Sequence, residues 1–349
     1  MLVAALIVLS AVAPQGIPSY INLVNWPTIG TLLGLMMLTK GVELSGWLHR
    51  IGAQIIAHIA DERRLALFLV CGSGLLAMLL TNDIALFVVV PLTLGLGELA
   101  RLPLRRLVIF EALAVNAGSM LTPIGNPQNI FLWQLSRVDF GVFVLHMLPP
   151  FIIASLCLLL LTLLAFPGRG VQAGGNPPAP AVRRPLLLAS ALLYIPFLVL
   201  ADLHFVWVGL IMVATVFLIG FPRLLRQIDW PLLLVFVLMF IDLGRLAQYP
   251  VLAYVNLAHS GALYITGAVS SQIISNVPAA ILLSRYSDDW STIAWAVDIG
   301  GFGLIIASLA NLIALRIGRQ RGSLLAFHAW SLPFCMVVGA LTWAWLVLR

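Results

Sequence analysis

The sequence predicts an all-α polytopic membrane protein made of two inverted repeats, each with one re-entrant hairpin and one broken helix. Hydrophobic residues make up 62% of the 349 residues and charged residues only 9%, and the mean hydropathy is +1.07. Soluble domains contain roughly 45–50% apolar and 25% charged residues. A spanning helix needs about 20 apolar residues, so the chain has room for on the order of ten spanning or half-spanning elements. No large soluble domain fits beside them.

The first hairpin is predicted from the polar segment Thr81-Asn82-Asp83, which stands between the apolar arms 65–80 and 84–96. Hydrocarbon offers no hydrogen bonds, so a polar group at membrane depth needs a partner or a cavity. Each arm is short for a full crossing, and Pro91 is expected to break the second arm. Arginines flank both ends, which places both ends in the cytoplasm. We therefore predict a re-entrant hairpin over 65–96; two full spans joined by an external turn are the alternative.

A second polar tip, Ser275-Asn276-Val277, predicts a second hairpin over 262–285. Broken helices are predicted over 104–133 and 291–315. In the first of them, residues 118–129 include two glycines, two prolines and five hydrogen-bonding side chains, which cannot continue a helix. A helix broken at membrane depth exposes carbonyls and half-helix ends, the features with which transporters hold ions. A surface loop is the alternative.

Three motifs recur in the same order and predict an internal duplication. Asp229-Trp230-Pro231 repeats Asn25-Trp26-Pro27, the second tip repeats the first, and residues 300–311 repeat the pattern of residues 118–129. The first copy begins outside and the second begins inside, so the two halves are predicted to be inverted in the membrane. Two such tips in one membrane chain indicate an internally duplicated transporter.

These motifs divide the chain into three parts. Residues 1–166 hold a first span at Met1–Pro14 and the first repeat, residues 167–185 form a cytoplasmic linker, and residues 186–349 hold two further spans and the second repeat. Most of the 19 Lys and Arg residues then lie in the cytoplasm, as the positive-inside rule requires. The start of the chain lacks the basic region and cleavage site of a signal peptide, so none is expected.

Other classes of protein lack support in the sequence. The net charge of +6 is not concentrated in a basic run with interleaved aromatics, so no nucleic-acid partner is expected, and the arginines are interpreted as topology signals. The three cysteines are widely spaced, and neither a His-Glu-x-x-His nor a Gly-x-Ser-x-Gly pattern occurs. We therefore expect no enzyme and no cofactor beyond a coupling ion, H+ or Na+. A channel would need a continuous polar path, whereas polarity is confined to the tips and breaks.

Asp83 is the single residue that the sequence most strongly indicates as functional. An acid at the bilayer centre costs about 2.5–3.5 kcal/mol on insertion scales and is a functional-site hypothesis by default. A carboxyl that takes up and releases a proton at that depth would suit a proton carrier. The alternative is a carboxylate that caps the helix arm following the tip.

The sequence resembles the ion-transporter superfamily that includes divalent-anion/sodium symporters, arsenite permeases and NhaD-type sodium/proton antiporters. Residues 81–85, 118–129 and 275–279 carry the resemblance, and the order of elements extends it over almost the whole chain. The chain looks most similar to bacterial inner-membrane members described as anion transporters. The resemblance implies a multi-pass inner-membrane homodimer in which a transport domain moves against a scaffold domain in an elevator cycle.

The tips show which branch of the superfamily the chain resembles. In the symporters the tip asparagines and nearby carbonyls bind sodium, so the resemblance implies possible Na+ ligands at Asn82, Gly125, Asn276 and Ala307. The third residue of each tip differs from that of the symporters. Asp83 would repel a dicarboxylate, and Val277 could not hydrogen-bond it. Asn-Asp at the first tip is similar to the arsenite permeases, which favours proton coupling and a small or neutral oxyacid.

We therefore predict a secondary active transporter of a small inorganic or organic anion, coupled to H+ or Na+ by elevator-type alternating access. A Na+/H+ antiporter and an arsenite/antimonite-type efflux permease are the alternatives. Candidate substrate- and ion-binding residues lie at the two tips and the two breaks: Thr81, Asn82, Asp83, Ser119, Thr122, Gly125, Asn126, Gln128, Asn129, Ser275, Asn276, Val277, Gly303, Ala307, Ser308 and Asn311.

Overall fold

The computed structural model describes residues 20–56, 61–99, 102–170, 181–247 and 256–348. Within these ranges the chain forms helices joined by turns, and no strand occurs there. This confirms the predicted all-α class. The first span predicted at Met1–Pro14 lies outside the described residues, as does the middle of the linker predicted at 167–185. The division of the chain into three parts stays a prediction.

The first half contains eight described helices. They are α1 (Tyr20–Leu23), α2 (Trp26–Leu44), α3 (Trp47–Ile56), α4 (Glu62–Leu79), α5 (Asn82–Leu99), α6 (Leu104–Ser119), α7 (Pro127–Ser136) and α8 (Phe140–Ala165).

The second half contains nine described helices and one short 3-10 turn. They are α9 (Arg184–Asp202), α10 (Val206–Gly220), α11 (Pro222–Leu225), α12 (Trp230–Leu246), α13 (Ser260–Ile274), α14 (Asn276–Leu283), α15 (Trp290–Gly300), η1 (Ile305–Ala307), α16 (Leu309–Gly318) and α17 (Ser323–Leu348).

Three of the described helices, α8, α9 and α17, are long and apolar enough to cross a membrane by length and composition. Their outer faces carry exposed leucines such as Leu164, Leu192 and Leu325. Polar solvent would penalise such faces, whereas lipid tails do not. The helices therefore fit a polytopic membrane protein.

Both predicted hairpins consist of two helices joined by a very short turn. Leu80 and Thr81 connect α4 to α5, and Ser275 alone, with a positive φ of 74°, connects α13 to α14. Whether the hairpins re-enter the membrane stays a prediction. The expectation that Pro91 breaks the second arm is wrong, because α5 continues through this residue. Proline is tolerated inside membrane helices where neighbouring groups satisfy the freed carbonyl.

Both predicted breaks interrupt a helix. Between α6 and α7 the chain turns until Asn126, whose side chain accepts the backbone N–H of Asn129 and so caps α7. Between α15 and α16 the short η1 turn leads to Ser308, where α16 begins. A surface loop is therefore not what these sequences form.

The two halves repeat each other in detail. Arg137 and Arg319 both adopt the left-handed conformation that ends a helix, and their N–H groups bond to Trp133 and Leu315 respectively. The spacing is 182 positions (319 − 137). A helix of 26 residues follows in each half, α8 and α17. The duplication predicted from three motifs thus extends to the way in which equivalent helices end.

Glycines let each hairpin approach its broken helix closely. Gly118 of α6 lies against Gly74 of α4, and a Cβ at position 118 would overlap the Gly74 carbonyl. At the equivalent position of the second repeat, Gly300 lies against Ser271 and the backbone of Ala268 on α13. Small residues at such crossings allow helices in membranes to pack backbone to backbone.

Gly118→Ala is expected to destabilise the protein, because the added methyl group meets rigid backbone. Overpacking of this kind typically costs about 1–3 kcal/mol. The measurement is the thermal unfolding midpoint of the detergent-purified protein. Gly72→Ala is the matched control, since a Cβ there meets nothing within 4 Å. Equal midpoints for the two variants would contradict the close crossing.

Candidate functional site

Asn116 of the first repeat reaches into the break of the second. Its Nδ2 donates to Asn311 Oδ1 at 2.8 Å, and its Oδ1 accepts from Ser308 Oγ at 2.9 Å. All three side chains are buried. The hydrogen bonds tie the end of α6 to the first turn of α16.

Asp298 makes the reciprocal contact. This residue lies 182 positions (298 − 116) after Asn116, and its Oδ1 accepts from Asn126 Nδ2 at 3.0 Å and from Gln128 Nε2 at 2.8 Å. Each repeat therefore extends one polar side chain into the break of the other. We call the buried set formed by these two contacts the crosswise network; its members are Asn116, Asn126, Gln128, Asp298, Ser308 and Asn311.

Two equivalent asparagines brace the non-helical turns. Asn129 Nδ2 donates to the carbonyls of Met120 and Thr122, and Asn311 Nδ2 donates to those of Gly301 and Leu304. A buried turn leaves backbone carbonyls that need hydrogen-bond donors. The two asparagine amides supply these donors, so the helices can end inside the protein.

Ser119, Thr122 and Gly125 belong to the first break. Ser119 offers both its carbonyl and its hydroxyl to Asn126 Nδ2 at 3.3 Å, and Thr122 Oγ1 donates to Met78 O of the first hairpin at 2.7 Å. Gly125 lies so close to Ser119 that a Cβ would overlap its carbonyl. A side chain at position 125 would therefore open the turn.

Each hairpin tip contacts the break of its own repeat. Asn82 N donates to Gly125 O at 2.8 Å, and Ser275 Oγ donates to Ala307 O at 3.3 Å. The Oδ1 atoms of Asn82 and Asn276 both accept the next backbone N–H along the chain. In the second repeat that N–H belongs to Val277, so the valine takes part through its backbone.

Some residues that brace the second break are absent from the candidates chosen by sequence. Gln272 of α13 donates to Gly300 O at 2.6 Å and accepts from Leu304 N at 2.7 Å. Ser331 Oγ of α17 donates to Gly303 O at 2.8 Å. The signal for both was a polar side chain inside an apolar helix.

The structure does not bring Asp83 into the crosswise network. Its side chain lines a separate cavity of about 80 Å³ together with Lys40, Gln227 and Asp229, and Thr81 lines the same cavity. Asp83 Oδ1 is buried without a hydrogen-bond partner, so this atom caps no helix end. Lys40 is itself paired with Glu43, at 2.9 Å.

Four helix N-termini meet around the network. Helices α5 and α14 start at the tips, and α7 and α16 start at the breaks that the tips contact. The N-terminus of a helix carries a partial positive charge and unsatisfied N–H groups, which favour anions. Among the described residues, no group of three or more His, Cys, Asp or Glu could hold a metal ion. The arrangement suits reversible binding of small ions.

Helices with apolar outer faces that surround buried, interrupted polar helices define a polytopic membrane transporter. The model of the citrate transporter family (CitMHS) matches residues 1–300. The chain belongs to the citrate transporter family, and the predicted superfamily is thereby confirmed.

Similar proteins from other organisms agree with this assignment. Inner membrane protein YbiR of Escherichia coli K12 is 46% identical over 339 residues, which cover 96% of this chain and 89% of the relative. Uncharacterized transporter MJ0456 of Methanocaldococcus jannaschii is 32% identical over 300 residues, or 85% and 82% of the two chains. Silicon efflux transporter LSI3 of rice is 29% identical over 126 residues, or 36% of this chain and 26% of the relative.

The predicted localisation is confirmed by these findings. The family is one of membrane transporters, and the E. coli relative is named an inner membrane protein. The apolar helices α8, α9 and α17 agree. The chain is a multi-pass protein of the bacterial inner membrane.

Asn116→Leu is expected to lower the unfolding midpoint, because it leaves the Ser308 hydroxyl and Asn311 Oδ1 unpaired. Each unpaired buried group costs about 1–3 kcal/mol. Ser73→Ala is the control, since the buried Ser73 hydroxyl bonds only to a carbonyl of its own helix. Thermal unfolding in detergent should separate the two variants; an Asn116→Leu midpoint as high as that of Ser73→Ala would refute the crosswise contact.

Proposed function

We propose that the chain is a secondary active transporter of a small inorganic or organic anion, coupled to H+ or Na+. The observation that supports this most is the meeting of four helix N-termini at a buried network of amides and hydroxyls. N-termini favour an anion, and the carboxylate of Asp298 beside them favours a cation. The site thus offers groups that favour an anion and a group that favours a cation, without any group suited to making a covalent bond.

The family and its relatives bear on the substrate. The family is described as citrate transporters, and the rice relative is named for silicon efflux. The first points to a carboxylate anion and the second to a small oxyacid. Neutral amides and hydroxyls such as those of Asn126 and Ser308 can bind the oxygens of either.

We further propose that the hairpins and broken helices move together against the remaining helices, in a homodimer. Glycine crossings at Gly118 and Gly300 favour one moving body, because each hairpin packs backbone to backbone on its broken helix. A second tight set surrounds α2, where Gly34 lies against Phe197 and Gly41 against Ser190 and Phe217. That set is the proposed scaffold.

A Na+/H+ antiporter is the second candidate. Asp83, which is half-buried, lines one cavity, and the buried Asp298 belongs to the crosswise network. Exchange of two cations needs carboxylates rather than an anion site. An arsenite or antimonite efflux permease is the other alternative, supported by the Asn82-Asp83 pair at the first tip.

The decisive experiment uses proteoliposomes that contain the purified full chain. Lumenal pH is recorded after an external Na+ pulse with no other substrate. Alkalinisation that Asp83→Asn abolishes would favour the antiporter. If the pH does not move, the same vesicles are tested for uptake of labelled citrate, arsenite and silicic acid under imposed H+ and Na+ gradients. Uptake that follows a cation gradient supports anion or oxyacid transport.

The tip asparagines are expected to be required for turnover. Combined Asn82→Ala and Asn276→Ala should lower initial uptake at least tenfold, since losing a bond worth about 1.4 kcal/mol changes a rate or equilibrium by that factor. Asn256→Ala, an exposed loop asparagine, is the control and should leave uptake unchanged. Undiminished uptake by the double variant would exclude the proposed site.

A further inference from the structure

Three buried oxygen atoms, one on Asp298 and two in the first turn of α7, have no hydrogen-bond donor. Its Oδ1 accepts two hydrogen bonds, but its buried Oδ2 has no partner. Gln128 Oε1 and Asn129 Oδ1 are likewise buried and unpaired. Gln128 bonds to Asp298 directly, and Asn129 is the counterpart of Asn311, whose Oδ1 contacts Asn116, the counterpart of Asp298. A buried acceptor without a donor costs about 1–3 kcal/mol, and more when it is charged. Three such atoms indicate that a positively charged partner belongs here.

The orientation of the two amides is fixed by their other bonds. The Gln128 NH2 group donates to Asp298, and the Asn129 NH2 group donates to the carbonyls of Met120 and Thr122. Turning either amide over would place oxygen against oxygen. The unpaired atoms are therefore acceptors.

The other repeat serves as an internal comparison. At the equivalent position Asn116 has both polar atoms satisfied, by Ser308, Asn311 and the carbonyl of Ala112. The position equivalent to Gln128 is Ala310, 182 residues later (310 − 128). The backbone is thus repeated, while the acid and the additional amide oxygen are present in one copy only. Packing requirements shared by both copies do not explain this difference.

A capping role for the carboxylate accounts for only part of the geometry. Gln128 and Asn129 lie in the first turn of α7, and a negative charge near a helix N-terminus is stabilising. That role uses Oδ1, which accepts from Asn126 and Gln128. It leaves Oδ2 and both amide oxygens without a partner.

We propose that Asp298, Gln128 and Asn129 bind a sodium ion through these three oxygens. Carboxylate and amide oxygens are the ligands of hard cations. Among the described residues no basic side chain forms a salt bridge with Asp298, so the site holds one formal negative charge. A monovalent ion neutralises that charge, whereas a divalent ion would leave a buried positive charge. A proton would join two of the oxygens and leave the third unpaired.

This site differs from the sodium ligands that the resemblance implies at the tips. Asn82 Oδ1 and Asn276 Oδ1 each already accept a backbone N–H. Assigning the ion as the coupling ion rests on the proposed function, whereas the binding of sodium does not.

Equilibrium binding of radioactive ²²Na+ to the detergent-purified full chain tests the site. The unaltered protein should bind Na+ saturably, and Asp298→Asn should raise the dissociation constant by at least ~100-fold. This variant reproduces the side chain of Asn116 and is therefore expected to fold. Gln128→Ala, which keeps the charge but removes one oxygen, should raise the constant by ~10-fold and serves as the second variant if Asp298→Asn does not elute as a monodisperse protein.

Glu111→Gln is the matched control. Glu111 is a fully buried acid on α6 that accepts from Thr93, and it lies five residues before Asn116, about 7.5 Å along the helix. It should bind Na+ with unchanged affinity. Absence of saturable binding to the unaltered protein, unchanged affinity of Asp298→Asn, or an equal loss in Glu111→Gln would each overturn the proposal.

Sodium binding and substrate transport are measured in separate experiments. Saturable Na+ binding that requires Asp298, with no uptake of any tested substrate under either an H+ or a Na+ gradient and no pH change in proteoliposomes, would refute the proposed function and leave the site standing. Uptake of an anion without Na+ binding would refute the site and leave the transporter standing.

Discussion

Polar groups buried between the two repeats must find their partners inside the protein, because hydrocarbon supplies none. Two helices stop inside this buried region, and each stop frees carbonyls and N–H groups. The amides of Asn129 and Asn311 bond the carbonyls of their own turns, while Asn116 and Asp298 bond the side chains of the opposite turn. Each break thus receives hydrogen bonds from its own repeat and from the other, and the two halves stabilise one another.

The same dependence bears on the proposed binding of ions in the buried region. Side chains that hydrogen-bond to one another would also have lone pairs and N–H groups available for an ion if the network opened. Hydrogen bonds between neutral groups contribute only about 0.5–1.5 kcal/mol each, so exchanging them for an ion is feasible. A catalytic site would need a reacting group, whereas this network is made of amides, hydroxyls and one acid.

Much of the fold could be read from the sequence, since apolar arms, polar tips and glycine-rich breaks follow directly from what hydrocarbon tolerates. The predicted ends of the hairpin arms lie close to the helix ends in the structure. The partners of the site residues were not predictable, because Asp298 and Gln128 lie 170 positions apart (298 − 128) and no local pattern joins them. Asp83 stood out as an acid at a tip, but the other charged residues that line its cavity, Lys40 and Asp229, lie 43 (83 − 40) and 146 (229 − 83) positions away in the sequence. Pro91 misled because neighbouring packing decides whether a helix survives a proline.

The repetition of elements in the two halves has a thermodynamic consequence. In a chain whose inverted copies were the same, reversing the direction of opening would merely exchange the copies, and the inward-open and outward-open forms would have equal free energy. Here one copy carries Asp298 and faces Gln128, while the other carries Asn116 and faces Ala310. Because of that difference, the two forms need not have equal free energy. In the proposed alternating-access cycle, the two orientations are therefore expected to differ in free energy, and an ion bound at the acidic half would change that difference.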